Sequence, residues 1–304
     1  MRPGWLPFLN MKLQDRQAAG GFVSDPVPKP SALRVAILRA AHQLLDVPLV
    51  FEDAFALKIL GAVEEESLRN DPVRYNTPRL RGLRASLAVR SRLAEEEWAR
   101  SKQCGVRQFV ILGAGLDTFA YRNQDHDSSR IFEVDLPATQ KWKRHCLRLA
   151  GIEEPASLTF APVDFECSTL AEGLTAARFS DNEPAFFSWL GVTMYLEEVS
   201  VMDTLRIVSS LRPKSGVVFD YGVLPALLSP VERSSMAFLA GRAAEHGERW
   251  KTCFDPSVLV GALRSMGFNE VEDLGATELN ERYLSGRTDG LRKSGVSRLI
   301  CARV

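Results

Sequence analysis

The segment Gln108-Phe109-Val110-Ile111-Leu112 runs into Gly113-Ala114-Gly115-Leu116-Asp117-Thr118, and a second apolar segment, Ile131-Phe132-Glu133-Val134, ends in Asp135. A buried strand entering a glycine turn, with an acid at the tip of a second strand, is how an α/β sheet holds an adenosine ribose. Glycine lets the backbone approach a ligand because it has no Cβ and tolerates unusual φ/ψ. The carboxylate of Asp135 accepts from the two ribose hydroxyls. NAD and S-adenosylmethionine share that half, so the pattern alone does not choose between them. Each residue also has a plainer use: Gly113 to Gly115 as a tight turn, Asp135 as the cap of a helix that Pro137 begins. Three positions after Gly115 stands Thr118, where a dinucleotide fingerprint has Gly or Ala, and this tells against NAD.

A third acid, Asp164, closes the run Leu158-Thr159-Phe160-Ala161-Pro162-Val163 and precedes Phe165. There the carboxylate can accept from an adenine amine while the ring stacks on the base; the alternative is a loop aspartate beside a core phenylalanine. The run from Ala185 to Leu190 continues into Gly191-Val192-Thr193-Met194-Tyr195-Leu196. Ligands sit outside the carboxyl ends of parallel strands, so this loop should line a pocket. Tyr195 is the candidate catalytic residue, its hydroxyl near the reacting atoms, although an ordinary half-buried tyrosine fits the same pattern. S-adenosylmethionine carries a carboxylate that a guanidinium can hold in a fork. Arg90 and Arg92 lie two apart on one expected helix and point in different directions, so at most one faces the pocket. A solvated helix face is the alternative for either.

Positioning these residues needs alternating strands and helices. Strands are expected at 108–112, 130–134, 158–163, 185–189 and 216–220, with helices near 136–150, 197–211 and 255–266. The alternation predicts a seven-stranded, mostly parallel α/β sheet with helices on both faces. Phe268 to Leu274 and Ser297 to Val304 supply an antiparallel closing pair, joined by a long irregular segment. Before the sheet, Ser31 is expected to cap a helix carrying Leu33, Ala36, Ile37, Ala40, Ala41 and Leu44. A short helix follows over Asp53 to Leu60, then a long one from Pro78 to about Lys102, which Gly105 ends. Residues 1–30, with five prolines, read as a loose arm. Residues 31–304 read as a single domain, 31–105 forming a helical N-terminal cover and 106–304 the α/β core.

The 304-residue chain is 45% hydrophobic, enough for a full core. Lys+Arg and Asp+Glu are equal at 38, which argues against nucleic acid or an anionic membrane as partner. The five scattered cysteines lack CxxC spacing, so neither a metal site nor a disulfide framework is expected, and a cytoplasmic location fits.

Together the words Ser91-Arg92-Leu93-Ala94-Glu95, Val110 to Arg122, Phe132-Glu133-Val134-Asp135-Leu136-Pro137, Gly191 to Leu196 and Val218-Phe219-Asp220-Tyr221 resemble the leucine carboxyl methyltransferase-type family. The likeness is to its bacterial branch, which includes polyketide O-methyltransferases, and runs from about Ser31 to Val304. It implies a class I methyltransferase (Rossmann-like) fold and S-adenosyl-L-methionine as cofactor. It implies that Gly113, with Ala114 and Gly115, touches the methionine part, Asp135 the ribose, and Asp164 with Phe165 the adenine. Arg90 matches the arginine that grips the cofactor carboxylate, with Arg92 as the alternative, and Arg39 matches a second cationic contact. Many relatives carry a glutamate that accepts from the cofactor ammonium where this chain has Leu190; main-chain carbonyls would have to replace it.

The expected reaction is O-methylation of a carboxylate on a small molecule, since a carboxylate is ionised at neutral pH and needs no general base. A phenol or hydroxyl would need one, and none of the four histidines, His126 being nearest the early loops, marks itself as catalytic. The rivals are a cofactor-binding, non-catalytic homologue, suggested by Leu190, and an NAD-dependent oxidoreductase, opposed by Thr118 and by the lack of a Tyr-x-x-x-Lys dyad.

Overall fold

Seven strands make one sheet: β1 (Gln108–Leu112), β2 (Arg130–Asp135), β3 (Leu158–Pro162), β4 (Ala185–Trp189), β5 (Gly216–Gly222), β6 (Glu270–Leu274) and β7 (Ser297–Arg303). The computed structural model describes residues 29–123, 128–164 and 169–304. All but the last two residues of the expected N-terminal arm, together with His126 and Phe165, lie outside the described residues. Strand order is β3-β2-β1-β4-β5-β7-β6. Pairs from β3 through β5 are parallel, and β7 is antiparallel to both β5 and β6. Chain order reverses after β3, because β4 returns to the far side of β1. The crevice at the carboxyl ends of β1 and β4 is thus the switch point of the sheet.

The strands read as continuous apolar runs because both faces are covered. Val110 and Leu112 of β1 face one core with Phe132, Phe187 and Phe219. On that side pack α6 (Leu170–Ala176), α7 (Glu198–Ser209) and α9 (Pro256–Ser265), through Leu174, Leu205 and Leu263. Phe109 and Ile111 alternate onto the other face, as a period of two requires. There they meet α3 (Pro78–Gln103), whose Trp98 stacks on Phe109 with centroids 4.7 Å apart. Burying a ring of that size contributes on the order of 2 kcal/mol.

Ahead of α3 come α1 (Pro30–Leu45) and α2 (Ala62–Asn70); between β1 and β2 is the single turn α4 (Phe119–Arg122), and α5 (Pro137–Leu149) follows β2. Apolar residues of α1, α2 and α5 share a third cluster, so α1 is packed beside the mouth of the crevice. Arg84 of α3, almost wholly buried, holds Asp46, the residue that follows α1, by two bonds of 2.7 and 3.0 Å. A fork of this kind fixes orientation as well as distance.

Three local expectations are corrected. Ser31 does not cap α1: the helix begins at Pro30, which suits its first turn, and Ser31 instead bonds Glu248 through its N–H (2.9 Å) and hydroxyl (2.6 Å). Asp53 to Leu60 is mostly turn, with only Lys58–Leu60 as a 3-10 helix, because Asp53 is taken up by ion pairs described below. The connection before β7 is not wholly irregular. It contains α10 (Ala276–Leu284), where Glu278 accepts from the Gly275 N–H at 2.9 Å and Leu279 and Leu284 face the core. No described helix is long and apolar enough to cross a membrane.

Candidate active site

A cavity of about 1400 Å³ follows the carboxyl edge of the sheet under α1 and α8 (Pro230–Ala244). Ligand pockets usually measure roughly 300–1,000 Å³, so this one has room for a cofactor and a second molecule. Along its floor, in the order of the strands, lie Asp164 after β3, Asp135 at the tip of β2, Gly113 to Gly115 after β1, Leu190 after β4 and Asp220 in β5. Arg39, Arg90 and Tyr195 face the same space. Of the ten residues singled out from the sequence, nine line this one cavity; Phe165 is outside the described residues.

The glycine turn is built by its neighbours. Gly113 and Ala114 donate to the Val134 carbonyl at 2.8 and 3.2 Å, locking the end of β1 to β2. Gly113 has φ +67°, and a Cβ there would stand 2.3 Å from Cγ2 of Val192, so both backbone and space require glycine. Asp135 holds the turn as well: its Oδ2 accepts from Gly115 N–H at 2.6 Å and its Oδ1 from Leu136 N–H at 2.7 Å. Each oxygen keeps a further lone pair for a ligand hydroxyl. The helix cap expected as the alternative use of Asp135 is not formed: Leu136 is the N-cap of α5 and no side chain caps it, so Asp135 ties the turn from its place on the cavity floor.

Beyond the turn, Asp117, Thr118 and Arg122 form a lattice with the cover. Arg39 donates to Asp117 at 3.0 Å and to Asp53 at 2.6 Å; the Thr118 hydroxyl donates to Asp53 at 2.7 Å; Arg122 reaches Thr118 at 3.0 Å and pairs with Glu95. Burial alone would lower the Arg39 pKa, but Asp53 and Asp117 overcome it and hold the guanidinium charged. Burial pushes the Asp117 carboxyl up, and Arg39, Lys143 and Arg122 outweigh it, leaving the group below its ordinary value. Arg39 is thus first an anchor for the turn, with both terminal nitrogens already engaged.

The ambiguity between Arg90 and Arg92 resolves by direction. Arg92 pairs with Glu96 at 2.5 Å on an exposed face, whereas Arg90 lines the cavity and bonds Asp220 at 2.8 Å. Asp220 also accepts from the Gly191 N–H at 2.5 Å. Asp220 drew no role from the sequence; its only signal was a buried acid inside an apolar strand. Gly191 has φ +73°, and a Cβ there would come within 2.7 Å of the Arg90 guanidinium. The expected outcome of Gly191→Ala is displacement of Arg90, with affinity for a cofactor carboxylate down about tenfold by calorimetry, as the loss of one charged pair entails. Unchanged affinity would remove Arg90 from that role.

Leu190 packs against the α3-side core and borders the cavity. Among the carboxylates on the cavity, Asp220 accepts from the amide of the next residue, Gly191, and Asp117 lies on the glycine turn. Tyr195 ends a 3-10 helix (Thr193–Tyr195). Burial raises its phenol pKa, while Trp250, Arg90 and Arg34 pull it back. Sequence reasoning also passed over Lys293, a lysine only 4% exposed on the cavity wall before β7, whose pKa burial lowers to about 8. Among the described residues no cluster suited to a metal ion occurs.

A parallel sheet with this strand order and reversed β7, with acids at successive strand tips around a glycine turn, defines a class I S-adenosyl-L-methionine-dependent methyltransferase fold. A Thermobifida fusca crystal structure described as a methyltransferase shares it at a TM-score of 0.54 and 17% identity, covering 91% of this chain and 98% of that one. A DUF574 family protein from Streptomyces avermitilis gives 0.51 and 12%, covering 89% and 96%. The profile of the leucine carboxyl methyltransferase family matches residues 32–209, and the chain belongs to that family. It is 30% identical over 294 residues to the Bacillus subtilis protein named "Putative S-adenosyl-L-methionine-dependent methyltransferase YktD", covering 86% of this chain and 93% of that one. A Mycobacterium avium protein with the same style of name is 32% identical over 177 residues, a match that spans about half of each chain (55% and 56%).

Proposed function

We propose that the protein transfers a methyl group from S-adenosyl-L-methionine to a carboxylate oxygen of a small molecule. The observation that carries this is the row of Asp164, Asp135, the Gly113–Gly115 turn and Arg90 along one cavity. When bound, S-adenosyl-L-methionine supplies a methyl group already activated on a sulfonium. Asp135 accepts from the ribose hydroxyls with the lone pairs its backbone bonds leave free, and Asp164 accepts from the adenine amine. Arg90, steadied by Asp220, takes the cofactor carboxylate. Asp117 and Asp220 offer the negative charge that Leu190 lacks. The acceptor carboxylate attacks in line; a C–O bond forms, the S–C bond breaks with its electron pair left on sulfur, and no proton moves. Alignment and exclusion of water are then the chain's whole contribution to the step, with the Tyr195 hydroxyl as a donor that orients the acceptor.

Three further expectations belong to this reading: a small-molecule acceptor rather than nucleic acid or membrane, one methyltransferase domain under a helical cover, and a reducing cytoplasm, which the free thiols of Cys104, Cys253 and Cys301 suit. Calorimetric titration with S-adenosyl-L-methionine and separately with NADH tests the cofactor. Binding of the first and not the second is expected, and no binding of the first at millimolar concentration would remove the reading. The observation favouring a non-catalytic binder is Leu190; it predicts cofactor binding without transfer of labelled methyl to any compound of a cell extract.

A further inference from the structure

We propose that Lys293 is the cation that receives the acceptor's carboxylate, and that the acceptor is an apolar carboxylic acid. This rests on the methyltransferase reading above and goes further by naming a residue and a substrate class. The argument begins with order along the sheet. The nucleoside residues lie over β3 and β2, the glycine turn over β1 and Arg90 with Asp220 beside β5, which leaves the β7 side of the cavity for the second molecule. Lys293 stands on that side, four residues before Ser297, which pairs with Gly222 at the end of β5. Its backbone is fixed: its N–H donates to Asn280 Oδ1 and its carbonyl accepts from Asn280 Nδ2, each at 2.9 Å. The same loop is tied to α8, since Gly295 N–H donates to Glu232 at 2.9 Å.

The Lys293 ammonium donates to the carbonyls of Ser294 (3.2 Å) and Ser297, which uses two of its three protons. No carboxylate lies within 4 Å of it in an ion pair among the described residues. A buried lysine without such a partner is costly, and one on a cavity wall is a candidate contact for an arriving anion. The charged groups around it are Asp220 on β5, Glu232 on α8, Arg90 on α3 and Arg298 on β7. Asp220 is held by Arg90, and Arg298 by Asp273 at 2.8 Å, which leaves Glu232 as the acid opposite Lys293. Glu232 makes no ion-pair contact with it, so Lys293 has no direct anionic partner among the described residues and one proton left to donate. Met194, Phe238, Leu239, Val296 and Leu299 give the same cavity apolar wall, alongside the polar Ser234, Ser235, Ser294 and Ser297. A cation at the inner end of an apolar space fits a carboxylate carried on a hydrocarbon or aromatic body.

The test uses the full chain saturated with S-adenosylhomocysteine and, as probes, decanoate, trans-cinnamate and decanol, titrated by calorimetry. At least one of the two acids is expected to bind, more tightly than decanol. Lys293→Met should weaken that acid about tenfold to a hundredfold, bringing decanoate level with decanol, while Lys293→Arg largely restores it. In the unmutated protein the acid's affinity should fall between neutral pH and about pH 9.5, as Lys293 loses its proton; this arm stands even if Lys293→Met does not fold. Failure of both acids to bind, an acid affinity indifferent to pH, or a folded Lys293→Met protein that binds the acid as before would overturn the proposal. The two readings fail separately: if S-adenosylhomocysteine itself does not bind, the methyltransferase reading falls, whereas if it binds and the acids ignore Lys293, only this inference does.

Discussion

Asp135→Ala is expected to lower affinity for S-adenosyl-L-methionine by about 100-fold or more, since it removes two charge-assisted hydrogen bonds, each worth about 1.5–3 kcal/mol. The geometry adds a second consequence. The same carboxylate holds the Gly115 and Leu136 amides at 2.6 and 2.7 Å, so the substitution also loosens the turn. Loss of affinity alone would not separate the two effects. Adenosine and its 2′,3′-dideoxy analogue do: the protein with Asp135 should prefer adenosine strongly, and Asp135→Ala should bind both alike. Such a coupling isolates the contact between one side chain and the hydroxyls from everything the substitution does elsewhere. Equal discrimination before and after the substitution would confine Asp135 to holding the turn. The half-exposed position limits the effect on folding, so melting should shift by only a few degrees, the equivalent of about 1–3 kcal/mol.

What could be read from the sequence, and what could not, divides along physical lines. The central strands were legible because a strand buried on both faces leaves an unbroken apolar run, and Asp135 because it ends one about twenty residues after the glycine turn. The word from Asp117 to Arg122 was recognisable, yet its physical use was hidden: Asp117, Thr118 and Arg122 bond Arg39, Asp53 and Glu95, up to 79 residues away. The anchoring use of Arg39 is hidden for the same reason, since nothing local shows that Asp53 and Asp117 hold it. Asp220 pairs with Arg90 across 130 residues, and periodicity carries no trace of a side-chain pair at that range. Lys293 was invisible because a lysine in a loop is ordinarily exposed; only the closing of β7 against β5 buries it. The α10 helix was missed where a capping contact, Glu278 to Gly275, outweighs a weak apolar pattern.

Lys143→Met is expected to cost about 3–5 kcal/mol and to lower the melting temperature by roughly 10 °C, because it strands a buried carboxylate. Lys143 of α5 meets Glu133 of β2 at 2.6 Å, and both side chains are almost wholly excluded from water. Glu133 Oε1 has no partner, so Lys143 is the group's main compensation. Burial pushes the Glu133 carboxyl up to about 7 even with Lys143 pulling it down. The folded chain therefore holds a proton that the unfolded chain has already released, and this group's contribution to stability is present below the ordinary carboxylate pKa and lost as pH rises toward 7. Without Lys143 the folded pKa rises further, so the loss should deepen and continue above neutrality. Glu133→Met with Lys143→Met should recover most of the stability, since two apolar side chains need no compensation. The consequence reaches the site, because Asp135 lies two residues along β2, and Lys143 Nζ sits 5.3 Å from the ring of Tyr121 in the turn motif. Thermal melts of the two proteins across pH 5 to 9 check this: a single variant as stable as the parent, or a double variant no better than the single, would show that the pair does not anchor β2.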